Sequence, residues 1–212
     1  VIALKLADKY NLLHINSGAM YRVIALEALR TNTDKDDVDA LINIIQSTRI
    51  QLLPKQIVFM NNEDVTQAIR HENISKLSSY ISKHKMVRKL LVEQQQEMVK
   101  KKNCIMEGRD ITTVVIPDAE IKIYLTASVD VRATRRYLDL LARHMEADLE
   151  IIKLDIIKRD TQDMNRKESP LVQSPDAFVV DSSYLSIDET VEEISTYIDE
   201  YIERNRKDDC CD

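Results

Sequence analysis

The chain has 212 residues, 44% of them hydrophobic, which is enough for one full-sized α/β domain with a buried core. Its formal net charge of -6 repels nucleic acid, so polynucleotide binding is disfavoured and an anionic ligand must be held by local arginines. No apolar run approaches the roughly 18 residues of a membrane span, and the three cysteines lack the spacing of a zinc or disulfide framework. We expect a single cytoplasmic domain over residues 1–212, with no membrane partner, no nucleic-acid partner and no metal ligands.

Strands and helices are predicted to alternate along the chain. The first half is predicted to contain helices at residues 2–9, 19–29, 38–45, 73–82 and 86–101, a strand at 12–15, and an antiparallel hairpin of strands 50–53 and 57–60. The second half is predicted to contain strands at 104–106, 121–125 and 177–180, helices at 129–144 and from 149 to about 166, and a closing helix capped by Ser186 and Glu189. Largely apolar strands that alternate with helices indicate a parallel sheet covered on both faces.

Polar residues follow two of the predicted strands. The segment Ser17 to Arg22 comes after the first strand, and Gly108-Arg109-Asp110 comes after the strand at residues 104–106. Because ligands bind beyond the carboxyl ends of parallel strands, both sets are expected to converge on one cleft. The planar guanidinium of arginine matches phosphate oxygens, so Arg22 and Arg109 indicate a phosphorylated ligand. Pairing of either arginine with a nearby surface carboxylate remains an alternative.

Two further groups of arginines lie on predicted helices. Arg159, Asp163 and Arg166 are spaced by four and three residues, so in a helix they share one face that offers two cations and one acceptor to a ligand. The alternative is an exposed ladder of salt bridges, which adds only tenths of a kcal/mol to stability. A second cluster consists of Arg132, Arg135 and Arg136. Three cations on adjacent helical turns repel one another, so an anion bound there is plausible but not required.

Four segments of the sequence together resemble one known family. They are "INSGAMYR", "MEGRDITTVVIPDAEIKIYLTAS", "VRATRRY" and "KRDTQDMNRKESPLVQSPDAFVVDSS". In order and spacing they are similar to the cytidylate kinases, and the likeness extends from Leu6 to Ile194. The resemblance implies the three-layer α/β fold of the P-loop nucleoside-monophosphate kinases, with a central five-stranded parallel sheet. It further implies a monophosphate-binding part at about residues 17–100, a small β-hairpin insert at about 48–65, and a mobile lid at about 143–163.

The reaction implied by the resemblance is phosphoryl transfer from ATP to CMP or dCMP, with Mg²⁺ required, in a protein expected to be monomeric. The residues that match the family's site for CMP are Ser17, Tyr21, Arg22, Ser79, Arg88, Arg109, Asp110, Arg159, Asp163 and Arg166. Among these, Arg22, Arg109 and Arg166 are expected to hold the phosphate. Ser79, Arg88 and Asp110 are expected to read the cytosine, and Arg159 and Asp163 to hold the sugar hydroxyls.

The resemblance places Arg132 and Arg136, and less firmly Arg135, at the phosphates of ATP. The catalytic arginines it implies are Arg109, Arg132, Arg136 and Arg166, and no general base is needed because the acceptor is already a phosphate oxygen. Asp110 has an alternative role as a turn cap. In the cleft, however, its carboxylate would accept the cytosine amino proton and disfavour the carbonyl of uracil.

The sequence departs from the family pattern at two places. Thr112 stands where the family often has glycine, which could stiffen the loop after Asp110. No segment reads G-x-x-x-x-G-K-[ST], and Gly18 and Gly108 are the only glycines, so the phosphate loop and first strand are expected to precede Val1. The chain from Val1 alone is not expected to act as a kinase. Two other hypotheses remain: a kinase for a different monophosphate such as UMP, and a nucleotide-binding protein without catalysis.

Overall fold

The computed structural model describes residues 1–100 and 103–208. The Cys210-Cys211 pair and the last residue of the helix predicted at 86–101 lie outside the described residues. The described chain forms two compact units. The N-terminal unit comprises the described part of Ala3–Pro117 together with Arg166–Pro170, and the C-terminal unit comprises Val1–Ile2, Asp118–Asn165 and the described residues from Leu171 onward. The extents of the single domain, the monophosphate part and the lid stay predictions.

The predicted helices and strands are confirmed, with ends that differ by a few residues. The helices are α1 (Ile2–Lys9), α2 (Ser17–Arg30), α3 (Val38–Ser47), α4 (Glu72–Ile81), α5 (Lys85–Val99), α6 (Val129–Ala142), α7 (Leu149–Asn165) and α8 (Ile187–Asp208). The strands are β1 (Leu13–Asn16), β2 (Ile50–Leu53), β3 (Ile57–Met60), β4 (Glu63–Asp64), β5 (Cys104–Glu107), β6 (Ile123–Thr126) and β7 (Phe178–Asp181). The sequence did not predict β4, which is short and polar.

Parallel pairing is present in each unit. In the N-terminal unit β1 pairs with β5, from Leu13 opposite Cys104 to Asn16 opposite Glu107. In the C-terminal unit β6 pairs with β7, and Ile123 lies opposite Phe178. The prediction of a parallel α/β fold is therefore confirmed, and the described residues supply four parallel strands in two pairs.

Helix α2 is the centre of the core of the N-terminal unit. Its residues Met20, Val23 and Ile24 are fully buried, and the helix packs against α3, α4 and α5. A helix that is apolar around most of its circumference is stable only when neighbours cover it on several sides. Asn16 caps the helix, because its Oδ1 accepts a hydrogen bond of 3.0 Å from the Ala19 N–H. The cap fixes the first turn of α2 at the end of β1.

The predicted antiparallel hairpin is confirmed, and β2, β3 and β4 form one antiparallel sheet; its assignment as the insert at about residues 48–65 stays a prediction. Ile50 lies opposite Met60 and Leu53 opposite Ile57, so the connection is the tight turn Pro54–Gln56. Lys55 and Gln56 both have a φ of 60° in this turn. This left-handed region costs a residue with a side chain about 1–2 kcal/mol, so the turn is strained.

The C-terminal unit consists of the β6–β7 pair with α6, α7 and α8. Phe178 of β7 stacks on Tyr197 of α8 with ring centroids 4.2 Å apart. The predicted capping box is confirmed, because the Ser186 N–H donates to Glu189 Oε2 at 2.8 Å and the Glu189 N–H donates to Ser186 Oγ at 3.2 Å. In the part of the chain that the structure describes, no helix is both long and apolar enough to cross a membrane.

Candidate functional site

The carboxyl ends of β1 and β5 lie side by side and are joined by polar side chains. Asn16 Nδ2 donates to Glu107 Oε1 at 2.7 Å, and Ser17 Oγ donates to the Glu107 carbonyl at 2.8 Å. His14 Nε2 lies 3.3 Å from Glu107 Oε1. The predicted convergence of the residues that follow these two strands is therefore confirmed.

Glu107 is the acidic centre of this strand-end network. Burial alone would raise the pKa of its carboxyl, but the contact with His14 and nearby positive charges, that of Arg22 among them, outweigh burial and lower the pKa below its ordinary value. Glu107 is therefore ionised at neutral pH. Sequence reasoning missed Glu107 and His14, although an acidic residue that ends an apolar strand was a signal that could have identified Glu107.

Gly108 allows the two strand ends to approach closely. A Cβ atom at this position would lie 2.3 Å from Ser17 Oγ and 2.7 Å from Ile111 Cδ1. Both distances are shorter than any tolerated contact, so a side chain at residue 108 must displace its neighbours. The glycine thus sets the position of the next two residues, Arg109 and Asp110.

Asp110 lies in a buried cluster with two arginines. Arg88 Nη1 donates to Asp110 Oδ2 at 2.7 Å, and Arg88 Nε donates to the Ser82 carbonyl at 3.3 Å. Arg166 Nη2 lies 3.9 Å from Asp110 Oδ2, and all three side chains are less than 10% exposed. The cluster brings together three residues that the sequence predicted for one site.

The chain after Asp110 forms a π-helical turn at Ile111–Val115, in which the Val114 N–H donates to the Asp110 carbonyl at 2.9 Å. The Asp110 side chain makes no cap hydrogen bond to this turn. The alternative role of the carboxylate as a turn cap is therefore not supported. Ile111 and Val115 pack against Val92 of α5, which anchors the turn on the apolar side.

Tyr21 of α2 lies against the same cluster. Its ring centroid is 5.4 Å from Arg88 Cζ, a cation–π distance. The Tyr21 hydroxyl is buried and has no hydrogen-bond partner among the described residues. Burial raises the pKa of Tyr21 to about 12, with the charge of Arg88 acting in the opposite direction and that of Asp110 in the same direction. The hydroxyl therefore keeps its proton and can donate to a ligand.

The other residues predicted for this unit lie around the cluster. Ser79 is a half-buried residue of α4, and Arg109 is exposed in the loop after β5. Arg22 of α2 lines a pocket that the hairpin insert and the turn Ala68–Arg70 also line. Arg109 is therefore accessible, Arg22 is half-buried with its Nε atom enclosed, and Asp110 is buried.

Arg159 and Asp163 lie on α7 in the C-terminal unit. Asp163 is buried and Arg159 is exposed, so an exposed salt-bridge ladder does not describe Asp163. The helix ends at Asn165. Of the three residues predicted to share a helical face, Arg159 and Asp163 are therefore in the helix, whereas Arg166 follows its last residue and its Nε donates to the Ser169 carbonyl at 2.5 Å.

The three arginines of α6 have different partners. Arg132 Nη2 lies 2.7 Å from Asp160 Oδ2, and Arg136 Nη1 lies 3.2 Å from Asp139 Oδ2 at a half-exposed position. Arg135 instead donates to the carbonyls of Ser182 and Leu185 at 2.7 and 3.1 Å. These bonds tie α6 to the turn after β7, so the contacts of Arg135 indicate a structural role.

Comparison with known proteins decides the family. The model of the cytidylate kinase family matches residues 1–200. The chain is 42% identical over 202 residues to the cytidylate kinase of Ligilactobacillus salivarius (strain UCC118), covering 94% of this chain and 90% of that protein. It is 40% identical over 204 residues to the cytidylate kinase of Geobacillus kaustophilus (strain HTA426), covering 95% and 91%. The chain belongs to the cytidylate kinase family.

Membership confirms the fold predicted from the resemblance, that of the P-loop nucleoside-monophosphate kinases. Cytidylate kinases carry out ATP-dependent phosphoryl transfer, for which Mg²⁺ is the usual metal. In the described residues no group of three His, Cys, Asp or Glu side chains is placed to hold a metal ion.

Replacing Tyr21 with Phe tests whether the buried hydroxyl serves the substrate of this cytidylate kinase. A buried hydroxyl without a partner costs about 1–3 kcal/mol, so we expect Tyr21→Phe to raise the melting temperature by a few degrees while KM for CMP rises several-fold. Thermal unfolding and steady-state kinetics measure the two effects. The control is Tyr184→Phe, because Tyr184 is 96% exposed and neither quantity should change. A lower melting temperature with unchanged KM would show that the hydroxyl only supports the fold.

Proposed function

We propose that this protein transfers the γ-phosphoryl group of ATP to CMP or dCMP, giving ADP and CDP or dCDP. Family membership supports the reaction. The observation that carries the choice of base is the buried carboxylate of Asp110, held by Arg88 at 2.7 Å. A fixed acceptor in a buried site discriminates strongly between ligands that can and cannot donate a hydrogen bond.

The cluster reads the cytosine through Asp110. The hydrogen bond from Arg88 uses the Oδ2 oxygen of Asp110. The Oδ1 oxygen is then left to accept a hydrogen bond from the 4-amino group of cytosine. Uracil presents a carbonyl oxygen at the same position, and two acceptors facing each other in a buried site repel. Ser79 and Tyr21 complete the base site as further hydrogen-bonding groups.

Charge compensation supplies the chemistry. Phosphoryl transfer needs positioning and electrostatic stabilisation rather than covalent catalysis, and the acceptor oxygen of CMP is already an anion. Arg22, Arg109 and Arg166 hold the CMP phosphate in the proposed reaction. Their planar guanidinium groups can bind two phosphate oxygens at once, which orients the acceptor oxygen toward the transferred group.

The arginines of α6 act on the ATP side in this proposal. Arg132 and Arg136 bind Asp160 and Asp139 in the free protein, and they exchange these carboxylates for phosphate oxygens when ATP is present. Mg²⁺ enters with the phosphates of ATP and neutralises their charge. Arg135 holds α6 in place through the backbone carbonyls it binds. Arg159 and Asp163 bind the sugar hydroxyls of CMP.

The finer assignments follow from the same proposal. The protein works as a cytoplasmic monomer whose partners are ATP and the pyrimidine monophosphates. Residues 143–163 act as the lid that excludes water when both nucleotides are bound. The part at 17–100, with its insert at 48–65, binds the monophosphate.

A panel of monophosphates tests the function. Protein expressed from its complete coding sequence is incubated with ATP, Mg²⁺ and CMP, dCMP, UMP or AMP, and formation of ADP and of the nucleoside diphosphate is measured. We expect kcat/KM for CMP and dCMP to exceed that for UMP by about 10- to 100-fold, the usual value of one buried charged hydrogen bond. Equal rates with UMP would identify a kinase of broader specificity. Binding of CMP without turnover would identify a nucleotide-binding protein and contradict the proposal.

A further inference from the structure

The pocket beneath the hairpin insert contains a second arginine that the proposed function does not use. Arg22 of α2 and Arg70 both line this pocket. No acidic residue lines it, and its other polar groups include the side chains of Gln56 and Thr66. Both guanidinium groups attract an anion bound in this pocket, and the Glu107 carboxylate offsets part of the charge of Arg22.

The backbone of Arg70 is held firmly in place. Arg70 ends the short 3₁₀ turn Ala68–Arg70, which packs against α2 between the insert and α4. Ile69 is buried in the core, and its N–H donates to the Val65 carbonyl at 3.0 Å. The Arg70 N–H donates to the Gln67 carbonyl at 3.0 Å. A fixed backbone beside the pocket limits the positions that the guanidinium can reach, which lowers the entropy lost on binding.

The guanidinium of Arg70 makes no hydrogen bond or ion pair with the described residues. Arg30, in the same unit, shows the usual alternative, because its two terminal nitrogens donate to the two carboxylate oxygens of Glu63 at 2.7 Å each. Arg70 is an exposed residue, and its guanidinium donors can make charge-assisted hydrogen bonds to a phosphate dianion in the pocket. The hydrogen-bond donors of the Arg70 guanidinium are therefore available to an anionic ligand, whereas those of Arg30 are used by a carboxylate of the protein.

We propose that Arg70 binds the phosphate group of the monophosphate substrate together with Arg22. This inference rests on the proposed function, which places the CMP phosphate at Arg22. The insert contributes through Gln56, whose backbone is held at a φ of 60° at the wall of the pocket. The ligand class is a phosphomonoester dianion, so Arg70 distinguishes CMP from cytidine and does not distinguish CMP from UMP.

Equilibrium binding of CMP and of cytidine tests the inference. Dissociation constants are measured by calorimetry for the wild-type protein and for Arg70→Ala and Arg70→Lys, with melting temperatures as a check on folding. We expect Arg70→Ala to raise Kd for CMP about 10-fold or more, the loss of one charge-assisted hydrogen bond. Kd for cytidine should stay within about twofold because cytidine lacks the phosphate. Arg70→Lys should be intermediate, since an ammonium group keeps the charge but not the two parallel bonds.

Arg30→Ala is the matched control, because it removes an exposed arginine of the same unit that already has a carboxylate partner. Its Kd for CMP should equal that of the wild type. Unchanged CMP affinity in Arg70→Ala would overturn the inference, as would an equal loss of CMP and cytidine affinity, which would indicate a structural role. Both outcomes differ from failure of the proposed function, which is seen in the wild-type protein as absence of CMP phosphorylation.

Discussion

Replacing Gly108 with Ala is expected to lower kcat/KM for CMP by about two orders of magnitude, because a displacement of about 1 Å in a positioned group can cost that much. The added Cβ would lie 2.3 Å from Ser17 Oγ and 2.7 Å from Ile111 Cδ1. Ser17 Oγ has little freedom to withdraw, since it donates to the Glu107 carbonyl at 2.8 Å. Either the Ser17 and Ile111 side chains rotate away, with loss of the Ser17 hydrogen bond, or the loop that carries Arg109 and Asp110 shifts; we expect the loop to shift, at a cost of about 1–3 kcal/mol in stability for overpacking.

Gly18→Ala is the matched control for this prediction. Gly18 is the only other glycine, and it lies one residue into α2. The nearest atom to a Cβ there is Asn16 Oδ1 at 3.3 Å, a tight contact that a small shift relieves. Alanine also favours a helix over glycine by about 1 kcal/mol. Kinetics and thermal unfolding of Gly18→Ala should match the wild type, and equal losses in both variants would contradict the special role of Gly108.

Replacing Asp110 with Ala is expected to lower the free energy of unfolding by about 3–5 kcal/mol, because it leaves Arg88 and Arg166 buried without their shared carboxylate. In a chain of this size the melting temperature should fall by about 10 °C. The same change should reduce kcat/KM for CMP more than kcat/KM for UMP, since only cytosine loses a hydrogen bond. The difference corresponds to about 1–3 kcal/mol of activation free energy. Unfolding and kinetics with both substrates give the two measurements.

Two further variants separate stability from recognition at Asp110. The double variant Asp110→Ala with Arg88→Ala removes both partners, and it should be more stable than the sum of the single changes predicts. Glu63→Ala breaks an exposed pair with the same 2.7 Å separation and should change the melting temperature little. If Asp110→Ala weakened CMP and UMP equally, Asp110 would be a structural residue and the proposed reading of cytosine would be wrong.

Local patterns in the sequence were sufficient for the elements and for part of the site. The spacing of apolar residues predicted the helices and strands in the right order. This spacing is a local property, because it follows the repeat of the helix or strand that the neighbouring residues form. The Ser186 and Glu189 capping box was predicted for the same reason. Convergence of Ser17 with the loop at Gly108 followed from a general property of parallel sheets, and the family resemblance supplied the role of each residue.

Local patterns could not predict contacts between residues that are far apart in the sequence. Nothing near Arg135 in the sequence indicates that its donors bind the carbonyls of Ser182 and Leu185, which are 47 and 50 residues away. Its neighbour Arg132 instead faces Asp160. Which arginine of a cluster holds the fold and which can exchange a carboxylate for a phosphate depends on packing, and packing is set by the whole chain.

The sequence by itself determined the fold class, the order of the elements and the types of residue at the strand ends, because these depend on local hydrogen bonding and on the apolar pattern. Only the tertiary structure decided which groups meet. It buried Asp110 between Arg88 and Arg166, brought Glu107 against His14, and placed Arg70 beside Arg22 under the insert. Burial and distance set the strength of every charge interaction, and neither can be read from the spacing of residues along the chain.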